Sequence, residues 1–322
     1  MLIREGLNGL RAITRGSVVT IGNFDGVHLG HRQIVWTCDS LRRESGSGKV
    51  VVVTFEPHPF TVLRPEAAPA RLTPAPVKTR LLESLGVDEL VILAPTPEVL
   101  GLSAPAFFAI LKDEVRVAHL VEGDTFTFGK GREGTIEKLQ EWSRETSLRL
   151  HIVPPVMQAL LDLQIVPVSS SLIRFLIEQG RARDAAICLG RPYLLRGPVI
   201  RGHQRGRTIG IPTANLDCRG QLVPADGVYA ARTMIGGSAY PVALSIGTMP
   251  TFGENQRQVE GFVIGFDGDL YGQTIEFEVL DWMREQWKLP SIEALKVQID
   301  LDVQVVKRIF QTFSAEPIAR TA

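Results

Sequence analysis

The chain contains 322 residues, enough for two domains of roughly 100–200 residues each. Its hydrophobic fraction of 44% and its charged fraction of 22% are those of an ordinary globular protein. The 35 Lys and Arg residues balance the 35 Asp and Glu residues, so the formal net charge of zero argues against binding nucleic acid or a membrane through bulk charge. No apolar run of about 18 residues and no cleavable leader is recognisable, so we expect a cytoplasmic protein. Three widely spaced cysteines without a CxxC pair argue against a disulfide framework and a zinc site.

The first informative segment is VVTIGNFDGVHLGHRQI, residues 18–34. Its apolar start predicts a buried parallel strand over Val18–Ile21, and a helix is predicted from Leu29 to about Leu41. Unpaired backbone N–H groups and the helix dipole make such a strand–turn–helix junction favourable for phosphate. His28 and His31 lie at the start of this helix and would add donors to a phosphate. Each histidine alone is more simply explained as a helix cap or a surface residue.

Alternating strand and helix patterns continue through the first half and predict a parallel sheet with helices. Predicted strands cover Lys49–Phe55, Glu89–Ala94, Ala118–Glu122 and Leu148–Val153, and predicted helices cover Pro76–Leu85, Ala104–Asp113 and Ile136–Thr146. The first of these strands ends in Glu56-Pro57-His58-Pro59, at the sheet edge where open α/β folds bind ligands. A proline-rich turn with an incidental histidine explains this segment equally well.

Two later segments of this half also have the character of phosphate sites. The glycine-rich loop Gly123–Gly134 carries Lys130 and Arg132, which suit phosphate, although a hairpin-like surface loop is the simpler interpretation. In Ser169–Arg174, one serine is expected to cap a helix that ends near Gly180. The functional alternative is a second helix start that holds phosphate with Arg174.

From Gly190 onward, short alternating runs separated by turn residues replace the helical periods. These runs predict a small antiparallel barrel with strands at Tyr193–Arg201, Gly227–Ile235, Ala239–Ile246, Val259–Phe266 and Thr274–Val279. A last helix, Ser291–Phe310, carries an apolar stripe that is expected to dock on the barrel. The domain boundary is expected within Arg181–Gly190.

The second dense segment is VIRGHQRGRTIGIPTANLD, residues 199–217. Glycines recur every four residues among arginines, but the GK[ST] ending of a Walker A loop is absent. A flexible basic loop can fold over phosphates, and Thr213 and Asn215 supply a hydroxyl and an amide suited to Mg²⁺ or phosphate oxygen. A glycine-rich hairpin with solvent-facing arginines remains the alternative.

Taken together, these motifs resemble a known family. GNFDGVHLGH, TFEPHP, FTFGKGREG and VSSSLIR resemble, in matching order, the FMN adenylyltransferase module of bacterial FAD synthetases, including the HxGH signature of the nucleotidyltransferase superfamily. GRPYLLRGPVIRGHQRGRTIGIPTANLD, with Val259-Glu260 ahead of FDGDLYG, resembles the riboflavin kinase domain. The resemblance spans Arg15 to Phe310. It implies an α/β Rossmann-like nucleotidyltransferase domain over residues 1–183, then a riboflavin kinase-like antiparallel β-barrel with a C-terminal helix over residues 184–322.

The resemblance implies two reactions and assigns residues to them. Riboflavin and ATP would give FMN in the barrel, and FMN and a second ATP would give FAD and pyrophosphate in the first domain, with Mg²⁺ as cofactor. The implied catalytic residues are His28 and His31 for adenylyl transfer and Glu260 as the base of the kinase. The implied binding residues are Gly22, Asp25, Gly26, Gly30, Gly129, Ser170, Ser171, Arg174, Gly202, Gly206, Arg207 and Gly210 for nucleotide phosphates, His58 and Arg284 for flavin, and Thr213 and Asn215 for the metal.

The chain departs from the family pattern at a few positions. Thr125 stands where Asp or Asn is usual, Ser171 where Thr is usual and Leu172 where arginine is usual. Ser245 and Met249 stand where Asn and Arg are usual. One alternative is therefore that a single module is catalytic and the other only binds flavin or nucleotide. Another is a flavin-sensing or RNA-binding module, against which the neutral charge counts. The sequence gives no oligomeric state.

Overall fold

A computed structural model describes residues 1–46, 48–202, 210–248 and 257–315. The contacts between residues divide the chain into two compact units. The first consists of Met1–Pro69 and Thr73–Met157, and the second of Ala70–Leu72 and Gln158–Ala322. None of the helices in the described ranges is both long enough and apolar enough to cross a membrane.

The first unit is built on a six-stranded parallel sheet with the order β1-β4-β3-β2-β5-β8. Its strands are β1 (Leu2–Glu5), β2 (Val18–Gly22), β3 (Val50–Phe55), β4 (Glu89–Leu93), β5 (His119–Gly123) and β8 (Arg149–Val153), and a separate small ladder joins β6 (Thr127–Phe128) to β7 (Gly134–Thr135). Strand β2 pairs with β3 on one side and β5 on the other. The carboxyl ends of these three strands therefore share one edge of the sheet, and the expected parallel sheet is confirmed.

Helices cover both faces of this sheet because its central strands are apolar on both sides. Val19 and Val51 belong to one buried cluster, whereas Val18 and Val50 belong to another. The helices of this unit are α1 (Gly6–Arg11), α2 (Leu29–Ser45), α3 (Phe60–Leu63), α4 (Ala75–Ser84), α5 (Pro97–Leu100), α6 (Ala104–Ala109) and α7 (Ile136–Arg144), with a π-helical turn at Ile110–Val115. Buried parallel strands of this kind read as continuous β-branched runs, which is why their sequence pattern was informative.

The second unit begins with a two-stranded sheet and two helices. The sheet pairs β9 (Met157–Ala159) with β10 (Ile165–Pro167), and the helices are α8 (Ser170–Glu178) and α9 (Ala182–Leu189). Helix α9 occupies the segment in which the sequence places the domain boundary, and it packs against barrel strands. By contacts, the residues from 158 to 183 therefore belong with the second unit.

The rest of the second unit is a closed barrel of six antiparallel strands, as expected. Its order is β11-β12-β15-β14-β13-β16. The strands are β11 (Tyr193–Ile200), β12 (Ala214–Leu216), β13 (Gly227–Ile235), β14 (Ser238–Gly247), β15 (Gln258–Val263) and β16 (Thr274–Arg284). The last helix, Ile292–Ala315, docks on the barrel through Val303, Val306 and Ile309, which pack with Ala230 and Phe262. The predicted apolar stripe is thus the docking face.

Candidate functional site

The turn between β2 and α2 lies at the carboxyl edge of the parallel sheet. Its backbone is unusual, because Phe24 and Gly26 have φ values of 48° and 88°. The Phe24 ring is buried, and a Cβ on Gly22 would come within 3.3 Å of it. Asp25 accepts the backbone N–H of Thr73 at 3.0 Å. Glycine at two positions and the Asp25 contact therefore hold the turn in a conformation that an ordinary side chain would obstruct.

His28 and His31 cap the N-terminus of α2 reciprocally. The N–H of His31 donates to Nδ1 of His28, and the N–H of His28 donates to Nδ1 of His31, both at 3.4 Å. The two rings stack with their centroids 3.7 Å apart. A ring nitrogen that accepts an N–H carries no proton, so each neutral ring has its proton on Nε2. The first turn of α2, which also contains Gly30, thus places both imidazoles at the end of the helix that attracts anions, with His28 buried.

The end of β3 meets this turn through Asn23 and His58. The Asn23 side-chain nitrogen lies 3.1 Å from Nε2 of His58, while the Phe60 N–H donates to Nδ1 at 3.1 Å. The ammonium of Lys78, from α4, lies behind both turns and pairs with Glu56 at 3.0 Å. Three of the histidines in the chain are therefore brought to one edge, as the sequence predicts for His28, His31 and His58.

Sequence reasoning missed Lys78. Its side chain is 7% exposed, which is unusual for a lysine. The sequence signal that could have identified a buried lysine is its helical spacing, because Lys78 lies four residues before the buried Leu82 on the apolar face of α4. A charged residue inside an apolar stripe needs a partner, and here the partners are in the two chemistry-bearing turns.

The third strand at this edge, β5, ends in a buried carboxyl group. Glu122 is 2% exposed, and it accepts the Ile21 N–H at 2.9 Å. Burial raises the pKa of Glu122 well above its usual range, although the Ile21 N–H opposes this. Glu122 therefore supports the backbone of β2 through this hydrogen bond, and its burial disfavours the ionised form.

The loop after β5 is organised by packing. A Cβ on Gly129 would lie 2.5 Å from the backbone nitrogen of Ala104, and Gly129 also has a φ of 74°. Glu133 accepts the same Ala104 N–H at 2.8 Å. The close approach to α6 is thus sufficient to require a glycine at position 129, whether or not a nucleotide binds there. Thr125, by contrast, is exposed in the turn that follows β5.

Helix α8 belongs to the second unit by its contacts. Ser169 is the capping serine, because its hydroxyl accepts the Leu172 N–H at 3.2 Å. Capping therefore uses one serine, as expected, and leaves Ser170 and Ser171 in the first turn. Nε of Arg174 donates to the Ala70 carbonyl at 2.7 Å.

In the barrel, strand pairing brings three polar residues into one row. Asn215 of β12 pairs with Glu260 of β15, and Glu260 pairs in turn with Ser245 of β14. Directly paired residues of antiparallel strands point to the same face, so these side chains are neighbours. Gly202 approaches this row, since a Cβ there would lie 2.5 Å from the Asn215 amide nitrogen. The predicted Gly202, Asn215 and Glu260 are therefore assembled together.

A cavity of about 430 Å³ opens beside this row. Thr213 and Asn215 line it, together with Arg201, Tyr271, Asp267 and Asp269. Its size suits a small-molecule ligand. The Arg201 guanidinium lies 5.8 Å from the centre of the Tyr271 ring, so a positive charge stands at the cavity wall.

Four of these cavity residues, Arg201, Asp267, Asp269 and Tyr271, have no role assigned from the sequence. Asp267 and Asp269 lie in the FDGDLYG segment that carried part of the resemblance, but no role was given to either carboxylate. Arg201 follows β11 directly. Gly210 has a φ of 84°, and Gly206, Arg207 and Met249 lie outside the described residues.

Arg284 is engaged with the last helix. Its Nε and Nη2 donate to the two carboxylate oxygens of Asp302 at 3.0 and 2.7 Å. Its Nη1 donates to the Glu285 carbonyl, and its guanidinium lies 4.8 Å from the centre of the Trp287 ring. These contacts show that Arg284 attaches the last helix to the barrel. The flavin contact of Arg284 stays a prediction from the sequence.

Comparison with known proteins also divides the chain in two. The FAD synthetase family model matches residues 10–171, and the riboflavin kinase family model matches residues 189–310. A bifunctional riboflavin kinase/FMN adenylyltransferase of Escherichia coli (strain K12) is 34% identical over 311 residues, which cover 96% of this chain and 97% of the relative. The Bacillus subtilis (strain 168) protein of the same name is 34% identical over 299 residues and covers 91% and 92%. A crystal structure from Streptococcus pneumoniae, described as a macrolide-efflux protein, has a TM-score of 0.83 at 31% identity and covers 95% and 99%.

Proposed function

The chain belongs to the family of bifunctional riboflavin kinases/FMN adenylyltransferases, and from this premise we propose how its residues divide the two activities. The chain phosphorylates riboflavin with ATP to FMN and adenylylates FMN with a second ATP to FAD. We propose that residues 1–183 carry adenylyl transfer and that residues 184–322 carry the kinase reaction. The ranges matched by the two family models support this functional boundary, although the contact-defined division lies earlier in the chain.

For adenylyl transfer, the observation that carries the proposal is the reciprocal cap of His28 and His31. A phosphate oxygen of FMN attacks the α-phosphorus of ATP, and pyrophosphate leaves. The attacking oxygen is already charged, so no base is needed, and catalysis consists of positioning and charge stabilisation. The two Nε2–H donors and the N-terminus of α2 would bind the ATP phosphates, with Gly22, Gly26 and Gly30 allowing close approach.

We assign the remaining phosphate and flavin contacts of this reaction from the family motifs. Ser170, Ser171 and Arg174 would bind phosphate, in keeping with the first-turn position of the two serines beside a separate capping serine. His58 would bind the flavin phosphate. Asp25 and Gly129 would contribute by fixing the conformation of their loops, Asp25 through its hydrogen bond with the Thr73 N–H and Gly129 through its close approach to Ala104.

For the kinase reaction, Glu260 is the proposed base. The 5′-hydroxyl of riboflavin attacks the γ-phosphorus of ATP, its proton passes to the Glu260 carboxylate, and ADP leaves. Gly202, Gly206, Arg207 and Gly210 would form a loop over the phosphates.

We propose that Mg²⁺ is bound in the barrel by Thr213 and Asn215 together with ATP. Hydroxyl and amide oxygens are hard donors, and Mg²⁺ commonly combines few protein ligands with substrate phosphates. When bound, the ion would neutralise charge on the transferred phosphoryl group.

A purified full-length chain tests both assignments in one assay. Riboflavin, ATP and Mg²⁺ are supplied, and FMN and FAD are separated by chromatography. We expect both products, with FMN formed first. FMN without FAD would contradict the adenylyl-transfer assignment, whereas no FMN from riboflavin, combined with FAD from added FMN, would contradict the kinase assignment. The requirement for Mg²⁺ is tested by adding a chelator, which should abolish both products, and then excess Mg²⁺, which should restore them.

We also propose a cytoplasmic location, where ATP and riboflavin are both available, and no role in binding nucleic acid. The balanced charge of the chain supports the second point. Cell fractionation with antibody detection would test the location.

A further inference from the structure

We propose that Lys78 is a positioning residue for adenylyl transfer, because its ammonium group joins the two turns that carry Asn23 and His58. The inference rests on the proposed function of the first unit. It adds a residue of α4, a helix to which neither the motifs nor the mechanism above gave any role.

The contacts of the Lys78 ammonium converge on the ends of β2 and β3. Nζ lies 3.0 Å from the Glu56 carboxylate, and it donates to the Phe55 carbonyl at 3.2 Å and to the Asn23 carbonyl at 3.4 Å. Thr54 Oγ1 lies 3.5 Å away and itself donates to the Asn23 carbonyl at 3.1 Å. One buried cation thus binds the turn after β2 and the turn after β3 at the same time.

Asn23 connects this buried contact to the site above it. Its carbonyl accepts from Lys78, while its side-chain amide lies 3.1 Å from Nε2 of His58. Glu56, the charged partner of Lys78, is only two residues before His58 in the chain. A shift of either turn relative to the other would therefore move His58 away from Asn23 and from the His28–His31 pair in the same unit.

Packing alone does not explain a lysine at this position. A buried ion pair is commonly no more stabilising than well-packed apolar side chains of similar volume, because both charges lose their hydration. A leucine or methionine would extend the apolar stripe of α4, which already contains Val77 and Leu82. Apolar side chains have no hydrogen-bond donors, so they could not fix the distance between the turns after β2 and β3. A transfer reaction at this edge requires that distance to be fixed.

The test compares Lys78→Met with the wild type in the full chain. Both reactions are measured on the same preparation. FAD formation from added FMN is expected to fall about 10²-fold in kcat, the size of effect that a misplacement of about 1 Å produces. FMN formation from riboflavin is expected to stay at the wild-type rate. Wild-type FAD formation in this assay tests the proposed function separately, so failure of the Lys78 prediction is distinguishable from failure of that function.

Arg4→Met is the matched control for simple loss of a part-buried ion pair. Arg4 pairs with Glu89 at 2.9 Å in the same sheet, but Glu89 begins β4 and so lies at the amino edge. This variant is expected to lower thermal stability while FAD formation stays within about threefold of the wild type. Equal losses of FAD formation in Arg4→Met and Lys78→Met would overturn the proposal.

A double variant separates positioning from general destabilisation. If Lys78 acts through the placement of His58, then Lys78→Met should cost far less in a His58→Ala background than in the wild type, because coupled residues are not additive. If instead the fold-losses in kcat of the two single variants multiply in the double variant, the proposal is overturned. Should Lys78→Met not fold, Glu56→Gln removes the charged partner while preserving shape, and it is expected to lower kcat for FAD formation about tenfold with FMN formation unchanged. Wild-type kcat in a folded Glu56→Gln chain would refute the inference.

Discussion

The ion pair between Arg284 and Asp302 allows a quantitative prediction about the last helix. The side chains are 15% and 8% exposed, and two parallel hydrogen bonds join them. Gln298 adds a third donor to Asp302 at 3.0 Å. Asp302→Asn leaves the shape nearly unchanged but removes the charged partner of Arg284, whose guanidinium is mostly buried. Removing one partner of a buried pair typically costs about 3–5 kcal/mol.

We expect the lower end of this range, about 3 kcal/mol, because Arg284 would retain the Glu285 carbonyl and the Trp287 ring. For a unit of this size, that loss corresponds to a decrease of about 6–12 °C in the melting temperature of the second unit. Calorimetry of the full chain measures it. The double variant Arg284→Met/Asp302→Leu replaces the pair with apolar side chains and should recover most of the loss.

The same variants test what Arg284 does for flavin. A docking task predicts that Arg284→Met and Asp302→Asn lower stability alike, with the KM for riboflavin changing by less than about threefold at a temperature where both are folded. A destabilisation below about 1 kcal/mol in Asp302→Asn would refute the reasoning from burial. A rise in KM confined to Arg284→Met would instead favour the flavin contact.

Three further outcomes are expected. Glu260→Gln should slow FMN formation about 10²–10⁴-fold while FAD formation from added FMN is retained, and an unchanged kinase rate would refute the assignment of the base. His28→Ala should slow FAD formation about 10²–10³-fold without affecting FMN formation, as product chromatography would show. His119 and His151 contact each other at 2.9 Å, and burial, with neighbouring Arg149, lowers the pKa of both below the usual 6.5. The unfolded chain therefore binds more protons than the folded chain as the pH falls, so the contribution of this pair to the free energy of unfolding should be constant above about pH 6.5 and decrease below it. Urea titrations at pH 7.5 and 5.5 would measure the decrease, which should be smaller in a His119→Asn/His151→Gln variant.

Strands with strong local character were predictable from sequence. The run at Val50–Phe55 is apolar on every residue but one, and a strand at Gly227–Ile235 has the predicted bounds. Strand β12 was missed, because Ala214–Leu216 is short and lies in a segment rich in glycine and proline. Its extended conformation depends on pairing with β11 and β15, which no local pattern encodes.

Helix α9 shows a related limit. The sequence predicts a domain boundary within Arg181–Gly190, although the small apolar residues of Ala182–Leu189 are compatible with a short helix. Its packing against β16 is what gives it a place in the second unit. The same reasoning applies to the site. His28, Asn215 and Glu260 belong to local motifs, whereas the partners of Lys78 are residues 22 to 55 positions away that only the fold brings together.

The reciprocal cap of α2 has a consequence for how its histidines can change. Each imidazole completes the backbone hydrogen bonding of a helix start, in addition to its proposed contact with phosphate. Rotamer freedom of both rings is thus lost on folding, so binding a nucleotide need not order them again. A substitution at His28 removes a helix cap worth about 1 kcal/mol together with the proposed phosphate contact. Folding alone therefore requires a capping side chain at His28, a requirement that serine, threonine, aspartate or asparagine would also meet, so a helix cap does not by itself account for histidine there.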